Sequence, residues 1–335
     1  MPSGKPARRR VATLTMNPAV DLSVAVDRLS PTGKLRCHDV RRDPGGGGVN
    51  VARVLRRLGT TTVAVIPAGG PAGDRLAAML RAERTPHMPI AIAGETREDF
   101  TALEAASGQQ YRFVLPGPRL SAAECARVLE AVADLRPRPA IVVASGSLPP
   151  GAPLGVYARL AAWARRAGVK LALDTAGKPL KLALAEGVWL AKPNLAELEE
   201  LVGAPLPDMR DRLAACCAIV QRGGAELVAL SMGAQGALLV SATEAWRATA
   251  PRLTALSTVG AGDSFMAGLI DALAAGETPR AALVRAVAAG SAALMAPGVQ
   301  LCRTSDVVAL SKRVRAEPVW LASAPSATPP RPAAA

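Results

Sequence analysis

The chain reads Ser257-Thr258-Val259-Gly260-Ala261-Gly262-Asp263-Ser264, and an apolar run with helical spacing follows it from Phe265 to Leu273. This periodicity predicts that a helix begins between Gly260 and Asp263. The first turn of a helix has unpaired backbone N–H groups and carries the positive end of the helix dipole. Glycines at this position let an anion approach the bare backbone, so the stretch predicts a cradle for an anion such as a phosphate.

Asp263 adds a chemical function to this cradle. An aspartate with an ordinary pKa of ~3.9 is ionised at neutral pH. A carboxylate beside a phosphate cradle suits an enzyme in which an attacking hydroxyl must lose its proton. The alternative is that Asp263 and Ser264 only cap a helix after a glycine turn.

Four consecutive glycines lie between Pro44 and Asn50, directly before a second predicted helix. That helix has an apolar stripe, and its arginines are predicted on the opposite face. The glycine run costs conformational entropy, which favours a close approach of the backbone to a ligand, with a flexible linker as the alternative. The segment does not match GxGxxG and the chain contains no Walker A sequence, which disfavours a dinucleotide-dependent oxidoreductase.

Two further polar positions are candidates for ligand contacts. Asp21 follows the first predicted strand, Val11 to Thr15, at the place where open α/β sheets bind ligands, although it could instead stabilise a turn. Lys34 and Arg36 would share one face of an extended segment. That arrangement suits a phosphate, and two solvated surface charges are an equal alternative.

Strands and helices are predicted to alternate along most of the chain, which indicates the α/β class with a mostly parallel sheet covered by helices on both faces. A small β-sheet is predicted over the larger body from about residues 20–45 and 88–115, where Phe100 to Ala106 and Gln109 to Leu115 indicate a hairpin. We assign residues 11–321 to one domain, residues 1–10 to a basic tail and residues 322–335 to a disordered tail rich in proline and alanine.

The composition restricts the possible partners. The net charge of +13 is compatible with nucleic-acid binding, but the basic residues are scattered and aromatic residues are only 3% of the chain, so stacking surfaces are scarce. An anionic small molecule explains the charge equally well, and a solvated basic surface needs no partner. The five cysteines form no CxxC pair, and no signal peptide or membrane span is recognisable. We therefore expect a reduced cytoplasmic protein with no nucleic-acid and no membrane partner.

Taken together, the glycine run with Asn50, the stretch ending in Asp263 and Asn194-x-x-Glu197 resemble the ribokinase-like (PfkB) carbohydrate kinases over residues 10–315. Further motifs are similar to the 6-phosphofructokinase branch of that family, namely Gly33 to Cys37, Pro67 to Gly70, Ser145 to Gly151 and Ala288 to Ala293, whereas Asn17 to Leu22 is more similar to 1-phosphofructokinases. The resemblance implies a three-layer α/β/α sandwich with a small β-sheet lid. It also implies ATP-dependent phosphorylation of fructose 6-phosphate at the 1-hydroxyl. The alternatives are a 1-phosphofructokinase or tagatose-6-phosphate kinase and, more distantly, a kinase of an unphosphorylated sugar or nucleoside.

The resemblance also implies roles for individual residues. Asp263 would be the catalytic base, and the backbone of Gly260, Ala261 and Gly262 would face the transferring phosphoryl group, with Gly260 also contacting the nucleotide. The sugar would be held at its hydroxyls by Asp21, Gly46, Gly47 and Asn50, and at its phosphate by Lys34, Arg36, Arg97 and Ser147. The ATP site would be lined by Lys192, Asn194, Ser231, Gly233, Gly236 and Thr258.

Metal ions and an oligomer are implied by the same resemblance. Glu197 would organise Mg²⁺ through water, and K⁺ would lie near Ser257, Val259, Ala293 and Gly298. Because the lid of this family often forms a dimer contact, a homodimer through the lid is expected.

Overall fold

Apolar strands form a ten-stranded central sheet in the computed structural model, which describes residues 9–31, 33–296 and 300–319. The predicted tails lie outside these ranges, except for Arg9 and Arg10. In spatial order the strands are β14 (Arg315–Pro318), β13 (Ala245–Thr249), β12 (Ala237–Val240), β11 (Ala225–Ser231), β10 (Val188–Ala191), β9 (Lys170–Asp174), β8 (Ile141–Ser145), β1 (Val11–Leu14), β4 (Thr62–Ala68) and β5 (His87–Ala91).

Neighbouring strands from β5 to β11 run parallel. The last three strands, β12 to β14, are antiparallel to their neighbours. The prediction of a mostly parallel sheet is therefore confirmed. Because the carboxyl ends of the parallel strands meet at one edge, loops from distant parts of the chain converge there.

Helices cover both faces of this sheet, which gives three layers. Successive strand residues point to opposite faces, so Val11 packs with the helices of one face and Ala12 with those of the other. One face carries α1 (Gly47–Arg57), α8 (Ala261–Ala274), α9 (Pro279–Leu294) and α10 (Thr304–Ser311). The other carries α3 (Ala122–Ala133), α4 (Val156–Ala167), α5 (Gly177–Glu186), α6 (Leu195–Val202) and α7 (Met209–Gln221).

A separate four-stranded sheet forms the lid, in the order β3 (His38–Gly45), β2 (Ala19–Val26), β6 (Arg97–Glu104) and β7 (Gln110–Phe113). Strands β6 and β7 form the predicted antiparallel hairpin. Helix α2 (Gly70–Ala82) packs with Val20 of β2 and Val49 of α1, so it connects the lid to the body.

The structure corrects the lid boundary and adds elements that the sequence did not indicate. Strand β5 pairs with β4 at the edge of the large sheet, so residues 88–91 do not belong to the lid. Strand β5 is largely exposed and follows α2 directly, which leaves little patterning to assign it to either sheet. The elements α5, α10, β13 and β14 were not predicted. None of the helices in the described part of the chain combines the length and apolar character that a bilayer crossing requires.

Candidate active site

The first turn of α8 has no side-chain cap among the described residues. Its N-cap is Gly260, whose φ of 75° lies in the left-handed region that favours glycine. Asp263 does not cap the turn, because its Oδ2 accepts a hydrogen bond of 2.9 Å from Nδ2 of Asn50 on α1. The interpretation of Asp263 as a helix cap is therefore wrong: among the described residues no side chain caps the first turn of α8, in which the backbone N–H of Ala261 donates to the carbonyl oxygen of Thr258 at 3.4 Å.

Asp263 is partly buried, and this environment disfavours the ionised form of its carboxyl group. Burial raises the pKa of Asp263 to about 6, and the nearby Asp174 adds to the rise. The hydrogen bond from Asn50 and the charge of Lys192 oppose it, and Asp21 contributes a further small rise. A carboxyl group that titrates near neutral pH is suited to accept a proton and release it again.

The glycine run forms the floor of the cleft. A Cβ added to Gly47 would lie 2.3 Å from Oγ of Ser145, and one added to Gly48 would lie 2.5 Å from the carbonyl oxygen of Leu14. The run is therefore not a linker, since its backbone is pressed against the ends of β1 and β8. The close neighbours of these two glycines are the strand ends, and the approach of a ligand to the glycine run stays a prediction.

A cavity of about 360 Å³ lies between this floor, the lid and α8. It brings together residues that are far apart in the sequence. Its lining consists of Gly46, Gly47, Asn50, Arg97, Arg112, Ser145, Gly146, Ser147, Asp174, Thr175, Ala176, Glu197, Val259, Gly260 and Asp263.

Asp21 lies on the lid strand β2, so the interpretation of it as a turn residue is wrong. It is buried beside Gly45 and is not among the residues that line the cavity. It stands directly opposite Asp43 of β3 and Asp99 of β6 in the strand register. Burial raises the pKa of Asp21 to about 6, with Asp99 and Asp43 adding to the rise and Arg112 and Arg97 opposing it. Among the described residues its Oδ1 has no hydrogen-bond partner.

Two arginines of the lid face the same cavity. Arg97 donates to the carbonyl oxygen of Leu115 at 2.7 Å and lies 3.3 Å from Asp99. Burial lowers the pKa of Arg97, and its Nε has no partner among the described residues. Arg112 lies 3.9 Å from the other oxygen of Asp99, so one carboxylate positions both cations.

The structure does not bring Lys34 and Arg36 to this cavity. Both lie on an exposed loop between β2 and β3, and neither contributes to the described lining. Within one chain, the cationic side chains in the described lining of this cavity are therefore those of Arg97 and Arg112. Arg112 was not predicted from the sequence, because its position depends on the pairing of β7 with β6.

A second cavity, of about 530 Å³, lies on the other side of the same helix start. Four residues predicted for the ATP site contribute to its lining, namely Ser231, Gly233, Gly236 and Thr258. Ala261, Gly262 and apolar residues that include Leu253, Phe265 and Val287 complete it. Gly236 has a φ of 89°, and a Cβ there would lie 1.9 Å from the carbonyl oxygen of Ala248. The two cavities thus meet at the first turn of α8.

Lys192 and Asn194 were also predicted for the ATP site, but they are not among the residues that line either cavity. Lys192 is buried, and its Nζ lies 3.1 Å from Oδ1 of Asp174. Burial alone would lower the pKa of Lys192. The charges of Asp174 and Glu197 outweigh this effect, so the net result is a pKa above its usual value. Lys192 is therefore a cation at the junction of the two cavities.

Asn194 and Glu197 form a capping box at the start of α6. Oδ1 of Asn194 accepts from the backbone N–H of Glu197 at 2.9 Å, and Oε2 of Glu197 accepts from the backbone N–H of Asn194 at 2.8 Å. Burial raises the pKa of Glu197, which also lines the first cavity with Asp174. The Asn-x-x-Glu spacing thus has a structural role, and it leaves Oε1 of Glu197 available for a ligand.

The predicted K⁺ residues lie around the segment that leads into α8. The backbone N–H of Ser257 donates to the last turn of α9 at Leu294, close to the buried Ala293. The hydroxyl of Ser257 accepts from the N–H of Val259 at 3.2 Å. Gly298 lies outside the described residues.

Comparison with known proteins agrees with this arrangement. The family model for the pfkB family carbohydrate kinases matches residues 14–306. The ATP-dependent 6-phosphofructokinase isozyme 2 of Mycobacterium tuberculosis is 44% identical over 304 residues, which cover 91% of this chain and 88% of the relative. A 1-phosphofructokinase of Xanthomonas campestris is 39% identical over 265 residues, 78% of this chain and 83% of the relative.

Solved structures of the same family are also similar to this chain. Phosphofructokinase-2 from Escherichia coli, in crystal structures with potassium and with fructose-6-phosphate, is 37% identical and superimposes with TM-scores of 0.87 and 0.86. In both cases the match covers 91% of this chain and 99% of the other. The chain therefore belongs to the pfkB family of carbohydrate kinases.

Proposed function

We propose that this protein transfers the terminal phosphoryl group of ATP to the 1-hydroxyl of fructose 6-phosphate. The observation that carries the proposal is the position of Asp263 at the start of α8, where a polar cavity with two lid arginines meets a second, largely apolar cavity. An apolar cavity suits an adenine ring. A cavity with cations at one end and a carboxylate at the other suits a sugar that already carries a phosphate.

The lid and the glycine floor would bind the sugar. Arg97, with its free Nε, and Arg112 would bind the existing phosphate together with Ser147. Asp21 would accept hydrogen bonds from sugar hydroxyls above the backbone of Gly46 and Gly47. We keep Lys34 and Arg36 as proposed phosphate ligands, and only the resemblance supports this role. Both residues lie on an exposed loop that connects two strands of the lid.

Phosphoryl transfer requires positioning and charge stabilisation more than covalent chemistry from the protein. Asp263 would orient the 1-hydroxyl and take its proton as the oxygen attacks the terminal phosphorus. The backbone N–H group of Gly262 and the ammonium group of Lys192 would stabilise the negative charge that develops on the phosphoryl oxygens. The bond to the leaving ADP oxygen breaks on the side of the apolar cavity.

The acidic residues at the junction suit Mg²⁺. This ion is bound in kinases by one or two carboxylates together with substrate phosphates and water. Asp174 and Glu197 line the same cavity, and we propose that they hold Mg²⁺, in the case of Glu197 through water. When bound, Mg²⁺ neutralises charge on the phosphates. We also propose K⁺ beside Ser257, Val259 and Ala293, where the segment that leads into α8 is hydrogen-bonded to the last turn of α9.

The substrate assignment is tested by a coupled assay for ADP with fructose 6-phosphate, fructose 1-phosphate and tagatose 6-phosphate. We expect the highest kcat/KM with fructose 6-phosphate. A higher value with fructose 1-phosphate or tagatose 6-phosphate would assign the protein to the 1-phosphofructokinase or tagatose-6-phosphate kinase branch, and failure with all three would refute the proposal. Arg97→Ala should raise the KM for the sugar phosphate about 100-fold with little change for ATP, whereas Arg75→Ala, in an exposed pair with Glu98, should change neither.

We further propose that two copies associate through the lid. The lid exposes large apolar side chains on and after β3 and β7, including Val40 (56% exposed), Phe113 (56%) and Val114 (57%). Such side chains on one small sheet favour burial against another copy. Sedimentation analysis should show a dimer for the natural chain and a monomer for Phe113→Asp; a monomeric natural chain would contradict this proposal.

A further inference from the structure

Arg53 is a buried cation outside the predicted site, and it connects the site to the body. It lies one turn after Asn50 on α1, on the side that the sequence predicted to be solvated, yet its side chain is only 1% exposed. Its Nε and Nη2 donate to the two carboxylate oxygens of Glu83 at 2.8 and 2.6 Å. This bidentate pair compensates the burial of its charge.

The remaining donors of Arg53 face the active site. Nη1 donates to the carbonyl oxygen of Pro44, where the glycine run begins, at 2.8 Å. The same Nη1 donates to Oδ1 of Asn50 at 3.3 Å. Nη2 also lies 3.6 Å from the lid carboxylate of Asp43. The guanidinium group therefore contacts the lid, the floor and the side chain that is bonded to Asp263.

The contact with Asn50 determines which end of the amide faces Asp263. A guanidinium group only donates hydrogen bonds, so it accepts no bond from the amide NH₂ and must face the amide oxygen. The NH₂ group is then turned towards Asp263, to whose Oδ2 it donates at 2.9 Å. If the amide were reversed, two acceptors would face each other, and an ionised Asp263 would be repelled from its position.

We propose that Arg53 is a positioning residue for phosphoryl transfer, which sets the Asn50 amide so that its N–H, and not its oxygen, faces Asp263. This inference rests on the proposed function, because it concerns the same catalytic base. Arg53 is not among the residues that line either cavity, so it acts on the substrate through the groups that it contacts, of which Asn50 is the one bonded to Asp263. The other charged groups that face Asp263 are Asp174, Lys192 and Asp21. The described partners of Arg53 are Glu83, Pro44, Asn50 and Asp43, so none of these three groups is among them.

A double-mutant cycle with Arg53→Met and Asn50→Ala tests the proposal. Arg53→Met should lower kcat about 10- to 100-fold while the KM for ATP stays within about twofold, since the base is misplaced but the nucleotide cavity is untouched. In the Asn50→Ala background the same substitution should cause less than about a twofold further loss. Independent, multiplicative losses would overturn the proposal.

The pH profile separates positioning from general stability. In Arg53→Met the acidic limb of the kcat profile should move to higher pH by about half a unit to one unit, because Asp263 loses a well-oriented donor. Arg285→Met is the matched control, since Arg285 is a partly buried arginine that pairs with Asp271 and Glu277 away from both cavities. It should lower stability and leave kcat per folded molecule and the pH profile unchanged.

One result would count against Arg53 specifically. If Arg53→Met does not fold, Arg53→Lys is measured in the same cycle, because it keeps a buried cation for Glu83 but lacks the fork that reaches Asn50. A variant with a natural kcat and pH profile per folded molecule would overturn the inference while leaving the proposed function intact. An inactive natural chain would instead refute the proposed function.

Discussion

Replacement of Asp263 by asparagine should make the protein more stable while removing its activity. The amide has nearly the same shape, and its oxygen can still accept the hydrogen bond from Asn50. It carries no charge, so it avoids the cost that raises the pKa of Asp263 from 3.8 to about 6. That rise corresponds to at most about 3 kcal/mol. Because the carboxylate opens onto an aqueous cleft, we expect about 1.5–3 kcal/mol.

The sign of this effect depends on pH. Above pH 6 the aspartate is ionised in the folded and the unfolded chain, and the folded chain bears the full cost of the charge. Between about pH 6 and 4 the folded chain takes up its proton first, so the free energy of unfolding of the natural protein rises as the pH falls. Below pH 4 both states are protonated and the advantage of the asparagine variant disappears.

Urea unfolding at pH 8 and at pH 4, followed by circular dichroism, measures the difference. We expect the variant to be more stable at pH 8 and equal to the natural chain at pH 4, with a kcat lowered about 10²- to 10⁴-fold. Asp74→Asn, on an exposed part of α2, is the matched control and should change neither quantity. The reasoning about Asp263 would be refuted if the asparagine variant were not more stable than the natural chain at pH 8, or if it were more stable by the same amount at both pH values.

Three further results are expected. The kcat/KM for the sugar phosphate should fall about tenfold per pH unit below pH 6, because Asp263 must be ionised to act as a base; a flat profile between pH 5 and 8 in the coupled assay would contradict this role. Lys192→Met should lower the free energy of unfolding by about 3 kcal/mol, because it leaves Asp174 beside a buried site without its cation, and urea unfolding should detect this. Gly236→Ala should destabilise the chain by about 2 kcal/mol more than Gly276→Ala, since both have positive φ but only the first would place its Cβ 1.9 Å from a carbonyl oxygen of β13; equal losses in thermal unfolding would exclude that contact as the cause.

The sequence predicted the parts of the site that depend on local backbone chemistry. The glycines at Gly46 and Gly260 require positive φ, and such requirements are visible as glycine in the sequence itself. The helical spacing after Asp263 likewise places the carboxylate in a first turn. Local patterns could not show that Gly47 and Gly48 are pressed against β8 and β1, because those contacts depend on the order of strands in the sheet.

The positions of residues that depend on distant partners could not be predicted from the sequence. Arg53 has the spacing of a solvated helix face, but an ion pair with Glu83, 30 residues away, draws it into the interior. Arg112 reaches the cleft only because β7 pairs with β6. Lys34 and Arg36 have a spacing that suits a phosphate, yet their loop is exposed. Sequence spacing thus does not determine which charges converge.

The bare backbone at the floor of the cleft restricts how this protein could acquire a new substrate. Side chains cannot be introduced at Gly47 or Gly48 without displacing the ends of two central strands. We therefore expect adaptation, in nature or in the laboratory, to act on the lid, where Asp21, Arg97 and Arg112 stand on a small sheet of their own. Libraries aimed at other sugars should randomise those three positions and leave the glycines untouched.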